Sequence, residues 1–412
     1  MGRNYSTEPL SLKANVVWNA IGSLVFFGCT WLLSVFVVRL SGDYEAAGVL
    51  ALAMAVFNTF RPLVEYRIYT YQISDTEHEN TLGEYFTFCL ITSFTALICA
   101  TIYAIATCPG SSILPVILFF IYKIANLMLS VFHAVLNLNS RMDYNGISNG
   151  LQGIGILAVF IAIFYPTQSL EAAFIAMTLV TIAIGILYTY PHTAIFEKLK
   201  LGISAKKTKH LFLTCLPIVI ASIACSACPA IPRQFLALTQ GESLLGAYAS
   251  VAAPAAVIQM GASYIYTPLI SSFARSFHAK DKHALVSLLV KAVFAMAGIC
   301  LAAGVVLTLL GEWILVLFFG ESITPFTYML VPAIIMTAVS AFLWFFNDIL
   351  IGLRKFQANV IGNVIALVAT LALTIPLVDA FSANGISFTV MIAYAIGAIA
   401  MAIPTVAAIR KL

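Results

Sequence analysis

Long apolar runs separated by short polar breaks fill this chain from end to end. Windows of about 20 apolar residues, the length a helix needs to cross a bilayer, recur about twelve times. They predict membrane-spanning helices at approximately 15–38, 47–72, 85–107, 113–137, 147–165, 171–190, 211–236, 246–268, 286–309, 326–350, 358–376 and 386–408. Two of these runs carry polar residues at helical spacing. The first holds Asn58, Arg61, Glu65, Tyr69 and Gln72; the second holds Lys123, Asn126, Ser130, His133 and Asn137. At 3.6 residues per turn each set falls within an arc of about 80° on one side of its helix. Hydrocarbon cannot solvate such a face, because an Arg or Lys at a helix centre costs roughly 3 kcal/mol there. Both faces are therefore expected to look into a bundle interior or a water-filled cavity, as the lining of a transport path.

Composition narrows the class. The 412 residues are 61% hydrophobic and 9% charged, where soluble domains carry about 25% charge, and the mean hydropathy is +1.00. This is the composition of an all-α polytopic membrane protein. The net charge of +4 is small, and its basic residues sit mostly in short connections, so no nucleic-acid partner is expected. Met1–Leu12 is polar and runs directly into the first span, so no cleavable signal peptide is expected. The start Met1-Gly2-Arg3-Asn4-Tyr5-Ser6 fits the myristoylation pattern, but reads as a chance match on an already anchored protein.

Arg3, Lys13, Arg141, Lys198, Lys200, Lys206, Lys207, Lys209, Arg275, Lys280, Lys282, Arg354, Lys355, Arg410 and Lys411 all fall on one side of the predicted spans. Only Arg39 opposes them, so the positive-inside rule places both termini in the cytoplasm of a cell (plasma) membrane protein. The most basic connection, 191–210, divides the chain into six-span lobes at 1–205 and 206–412. A weak repeat supports the division. Arg39…Gly42…Gly48 after span one is echoed by Arg233…Gly241…Gly246 after span seven, and Arg141-Met-Asp-Tyr-Asn by Arg354-Lys-Phe-Gln-Ala-Asn. Six spans per lobe make a parallel repeat, with substrate sites expected between the lobes near the midplane.

Within the spans, Arg61 and Glu65 are spaced to pair with each other, or Arg61 is free for substrate. Lys123 has no acid one turn away on its own helix; it either bridges to Glu65 or, with Arg61, offers charge to an anionic head group. His133 suits a proton relay or, more simply, a helix-packing hydrogen bond. Tyr66, Tyr69 and Tyr71 fit an interfacial aromatic belt. Pro229 and Pro232 are expected to break or kink span seven, and Arg233 lies either at a cavity or at the interface. Thr337, Ser340, Trp344 and Asp348 form a milder polar face on span ten. Cys225-Ser-Ala-Cys228 has redox or metal spacing without a second ligand pair, so it reads as small residues in a packed helix. No nucleotide-binding loop, zinc signature or other cofactor motif appears. A gradient of a coupling ion, proton or sodium, or the membrane potential, or downhill flux of substrate is left to drive transport.

The Arg39…Gly42…Gly48 and Arg141-Met-Asp-Tyr patterns, the twelve spans, and Glu65-Tyr66-Arg67-Ile68-Tyr69-Thr70-Tyr71-Gln72-Ile73-Ser74-Asp75 resemble those of the Wzx-type polysaccharide and oligosaccharide flippases. These belong to the multidrug/oligosaccharidyl-lipid/polysaccharide exporter superfamily. The resemblance implies a V-shaped pair of six-helix lobes working by alternating access on polyprenyl-diphosphate-linked sugars. It makes Arg61, Lys123, Arg39 and Arg233 diphosphate contacts; Asn58, Glu65, Gln72, Asn126, His133 and Asp348, read from the polar positions of their own spans, complete the candidate substrate site. Pro232 stands where family members often carry an acid, and the two extra spans of the lipid II flippase branch are missing. A multidrug exporter of the same superfamily is the alternative, but it needs membrane carboxylates, and Glu65 and Asp348 both have basic neighbours. A membrane polymerase or ligase needs a large outer loop, and only 310–325 among the outer connections is long; no enzymatic role is expected.

Overall fold

The computed structural model describes residues 7–74, 79–353 and 355–410. Arg3, Asp75, Arg354 and Lys411, and the myristoylation pattern, lie outside them. Among the described residues there is no strand, and twelve helices are long and apolar enough to cross a membrane. The chain forms two compact units, 1–219 and 220–412.

The first unit contains α1 (Leu12–Ser41), α2 (Glu45–Glu65), α3 (Ile68–Ser74), α4 (Leu82–Thr107), α5 (Ile113–Leu138), α6 (Met142–Thr167), α7 (Leu170–Ile184) and the short α8 (Tyr190–Thr193). A π-helical turn, Gly185–Thr189, joins the last two. α1 lies along α6 so closely that a Cβ on Gly22 would strike the Gly146 backbone, and one on Gly146 would strike Trp18. Small residues are the means by which membrane helices gain van der Waals contact without a hydrophobic drive. The Arg141 motif fastens the α6 end of this pair. Arg141 is 4% exposed, forks onto Asp143 at 3.0 and 2.8 Å and stacks over Tyr144. Asn15 of α1 accepts from the Met142 amide and donates to the Leu10 carbonyl.

Span two departs from the predicted 47–72. α2 ends at Glu65, because Tyr66 and Arg67 adopt φ of 44° and 60° before α3 resumes. Two successive left-handed non-glycine residues cost about 1–3 kcal/mol each, and burial of Tyr66 holds them. Its ring stacks on Phe212, meets Phe88 edge-on, and its hydroxyl donates to the Phe212 carbonyl at 3.0 Å. Tyr66 is fully buried, so it belongs to no interfacial belt. The Val64 carbonyl, released by the break, accepts from the Thr92 hydroxyl.

α9 (Ala205–Gln240) carries the boundary between units. The first turns of α9 pack on the first unit, through Phe212 and through a Lys207–Glu84 ion pair of 2.8 Å. The helix runs unbroken past Pro217, Pro229 and Pro232, against the expected break. Pro229 cannot donate to the Cys225 carbonyl one turn back, and Tyr394 supplies that bond from its hydroxyl at 2.9 Å.

The second unit continues with α10 (Glu242–Ala252), α11 (Ala256–His278), α12 (Lys282–Phe319), α13 (Leu330–Gly352), α14 (Phe356–Phe381) and α15 (Ala383–Arg410). Span eight is interrupted by a 3-10 turn at Ala253–Ala255, centred on Pro254. The stretch 310–325 is no outer loop. α12 runs to Phe319, and a 3-10 helix follows at Glu321–Met329. Leu309, Leu310, Trp313 and Leu317 extend the exposed apolar face of α12 and carry its helix onward despite Glu312. Tyr394, Cys225, Cys228, Leu343 and Met401 meet in the core of this unit, which fits the packing reading of the two cysteines.

Candidate functional site

The polar face of α2 survives only in part. Asn58 and Arg61 are exposed, Glu65 half-exposed, while their neighbours Phe57, Thr59 and Val64 are buried. The turn at Tyr66–Arg67 then removes Tyr69 and Gln72 from that face. The Tyr69 hydroxyl instead accepts from Asn137 at 3.3 Å, and Gln72 is buried with its Nε2 donating to the Val131 carbonyl. Gln72 is thus a packing residue between α3 and α5, with its Oε1 unpartnered.

Arg61 and Glu65 form the i, i+4 pair, at 2.7 Å between Nε and Oε1. Glu65 is therefore engaged by its own helix, and the Glu65–Lys123 bridge does not form. Lys123 has no ion-pair partner among the described residues. Its ammonium lies over three rings, 5.0 Å from the centroid of Tyr122, 5.4 Å from Phe119 and 6.0 Å from Phe57. Edge-to-face contacts of Phe57 with Phe119 and Phe120 fix α2 against α5 at this level. Ring faces attract a cation by about 0.5–2 kcal/mol, which offsets part of the cost of burying it but leaves its charge uncancelled. Arg61 lies within electrostatic reach of Lys123 and repels it. Two cations and one carboxylate leave a net positive locus.

Further along α5, the second stripe turns inward. Asn126 donates to Gln152 Oε1 at 2.7 Å, Gln152 donates to Ser148 Oγ, and Ser148 Oγ lies 3.0 Å from His133 Nε2 and 2.9 Å from Thr189 Oγ1. Asn145 adds a bond to the His133 carbonyl. Asn126 and His133 thus sit in a polar network joining α5, α6 and the π turn, and His133 takes the helix-packing role. Asn145, Ser148 and Gln152, all buried, were missed. Their i, i+3, i+7 spacing in an apolar helix is the same signal that exposed the other stripes. Thr189 left no such signal, since the π turn brings it round.

Arg39 is exposed at the end of α1. In the second unit, Arg233 is half-buried with its Nε enclosed and unpartnered, so it does not lie free at an interface. Asp348 is bonded by Tyr266 and by Asn347. Thr337 and Ser340 are buried and return their hydroxyls to their own helix, so they line nothing. The polar centre of α13 is instead Asn347, whose Oδ1 accepts from Asn359 at 2.7 Å and Asn363 at 3.0 Å.

Comparison with solved structures places this architecture. A lipid II flippase, MurJ, in an inward closed conformation aligns with 94% of this chain and 87% of its own, at a TM-score of 0.71 and 13% identity. An inward-facing multidrug resistance transporter of the MATE family aligns over 96% and 99%, with a TM-score of 0.64 and 12% identity. A MOP superfamily transporter from Pyrococcus furiosus aligns over 97% of both chains, at 0.61 and 14%. The fold is that of the MOP-superfamily membrane transporters. The chain belongs to the polysaccharide biosynthesis protein family, whose profile matches residues 12–274. No curated protein sequence matches it.

Proposed function

We propose that the protein is a flippase that moves polyprenyl-diphosphate-linked oligosaccharides across the cell membrane for surface polysaccharide synthesis. The observation that carries this is Lys123. A cation held inside a membrane bundle, over aromatic rings and with its charge uncancelled, is suited to receive an anionic group. Arg61 beside it can exchange Glu65 for a phosphate oxygen, since guanidinium forks fit both. Family membership supplies the pathway, and the fold shared with the lipid II flippase MurJ supports the mode of action. Arg39 and Arg233 are further diphosphate contacts in this reading. Both termini and the basic connections face the cytoplasm, where lipid-linked sugars would load. The lobes rock between inward- and outward-open states, driven by an ion gradient, the membrane potential or downhill flux, and no catalysis is involved.

The multidrug reading is weaker on the same ground. It needs a free carboxylate to take a cationic drug and a coupling ion in turn, and Glu65 is held by Arg61. The deciding experiment is mass spectrometry of polyprenyl-diphosphate-linked sugars in cells depleted of the protein. Accumulation of one complete repeat unit, with loss of the matching surface polymer, is expected. An unchanged lipid pool with new sensitivity to cationic dyes would transfer the protein to drug export.

A further inference from the structure

The connection between α8 and α9 is strapped onto the start of α4 rather than looping free. Glu197 accepts from the Leu82 amide at 2.6 Å, Thr87 Oγ1 accepts from the Gly202 amide at 2.9 Å, and Lys207 bonds both Glu84 and the Glu79 carbonyl. The Lys200 carbonyl sits where any Cβ on Gly83 would go. Between this strap, α4 and the first turns of α9 lies a cavity of about 660 Å³, lined by Thr87, Ile91, Ile203, Thr208, Lys209 and Leu213 among others. Its walls are mainly apolar. It opens beside the exposed apolar stripe of α4 that continues through Phe94, Ile98 and Ile102.

Lys209 stands on its wall, and the adjoining connector and start of α9 are cationic. Lys198, Lys200, Lys206 and Lys209 are exposed, and none makes an ion pair among the described residues. Of the nearby acids, Glu84 is engaged by Lys207 and Glu197 by the Leu82 amide, while Glu79 stands exposed beside Lys207. Lys209 on the wall, with three more unpaired ammonium groups on the adjoining segment, matches a molecule with a phosphate head and hydrocarbon tail. Basic clusters next to a membrane helix on its cytoplasmic side are the sites that anionic lipids occupy.

We propose that this groove seats one anionic phospholipid, its phosphate on Lys200, Lys206 and Lys209 and one acyl chain between Ile91 and Leu213. The inference rests on the cytoplasmic orientation proposed above but not on the substrate. The bound lipid would fasten the connector and the first turns of α9 to α4.

The test uses the full-length protein purified in a neutral detergent, with thermal midpoint and native mass spectrometry as readouts. Phosphatidylglycerol should bind with a raised midpoint, at least tenfold more tightly than phosphatidylcholine of the same chains. Lys200→Gln/Lys206→Gln/Lys209→Gln should remove that preference, and Ile91→Trp should weaken binding with the lysines intact. Equal binding of the two lipids by the wild-type protein, which depends on no variant folding, overturns the proposal. So does saturation by glycerol 1-phosphate alone, which would make the site a phosphate site without a chain. A polyprenyl diphosphate that displaces phosphatidylglycerol at equimolar amount would hand the groove to the transported lipid and also sink it. Failure here leaves the flippase reading untouched, because that is decided by the cellular pool of lipid-linked sugars.

Discussion

At the scale of single residues the decisive fact is which charges cancel. Arg61 and Glu65 satisfy each other, and at 52% and 37% side-chain exposure such a pair adds little stability. Lys123 differs, because no described residue on its own or a neighbouring helix gives it an ion pair. Replacing Lys123 by Gln should therefore leave folding nearly intact while, in the proposed site, removing one charge-assisted bond to the substrate phosphate. Such bonds contribute about 1.5–3 kcal/mol, so transport of lipid-linked sugar into proteoliposomes should fall roughly tenfold to a hundredfold. Lys123→Gln that transports at the wild-type rate, at equal protein level, would remove the residue from the site. Glu65→Gln is expected to act in the opposite sense, releasing Arg61 and tightening substrate binding, which a titration of substrate affinity would register. Much of this locus was legible beforehand, since Arg61, Glu65 and Lys123 stand out by charge in apolar runs. Their pairing was not, because it depends on rotamers and on rings from two helices meeting Lys123. Gln72 was misplaced for a different reason: the left-handed turn at Tyr66–Arg67 carries no glycine or asparagine to announce it.

At the scale of elements, backbone groups that lose their helical partners are matched by side chains from elsewhere, as they must be where water is scarce. Tyr394 on the Cys225 carbonyl is the clearest case. Tyr394→Phe should lower stability by about 1–3 kcal/mol, the cost of an unsatisfied buried acceptor. In a Pro229→Ala background the backbone amide restored at that position can take over the Cys225 carbonyl, so the same change should cost much less. A double-mutant cycle on thermal or denaturant midpoints measures the difference, and additive effects would mean that Tyr394 serves some other purpose. The α1–α6 pair provides a second test. Gly146→Leu forces the helices apart and should cost about 1–3 kcal/mol or more. Gly150→Leu on the same helix, where a Cβ meets nothing within 4 Å, should be almost neutral. Equal melting of the two variants would contradict the close packing. Element existence was readable from hydropathy; the breaks at Tyr66 and Pro254 and the long run of α12 were not. Hydropathy averages over windows, whereas each of these hangs on one local turn or on one face staying apolar past a single Glu.

On the scale of the whole molecule, topology rather than chemistry links the parts. Lys206 and Lys209 of the α4–α9 groove and the carbonyls that Tyr66 and Tyr394 satisfy all lie on α9, the helix that carries the boundary between the two units. Whatever fastens its first turns acts on the stretch of chain that ends the first unit. Both the lipid seat and the loading direction depend on which side of the membrane the connector faces, and the side is measurable. Cysteines placed at Lys206 and Lys280, both exposed, should resist a membrane-impermeant maleimide in intact cells and label after lysis. Cysteines at Ser111 and Thr239, exposed at the opposite ends of their helices, should label in intact cells. The eight native cysteines are all buried or half-buried, so the unsubstituted protein sets a low background. The reversed pattern would put the basic connector outside, away from both the anionic leaflet and the pool of cytoplasmic lipid-linked sugars. It would then undo the loading direction and the lipid seat together, while leaving the helix packing of each unit as it stands.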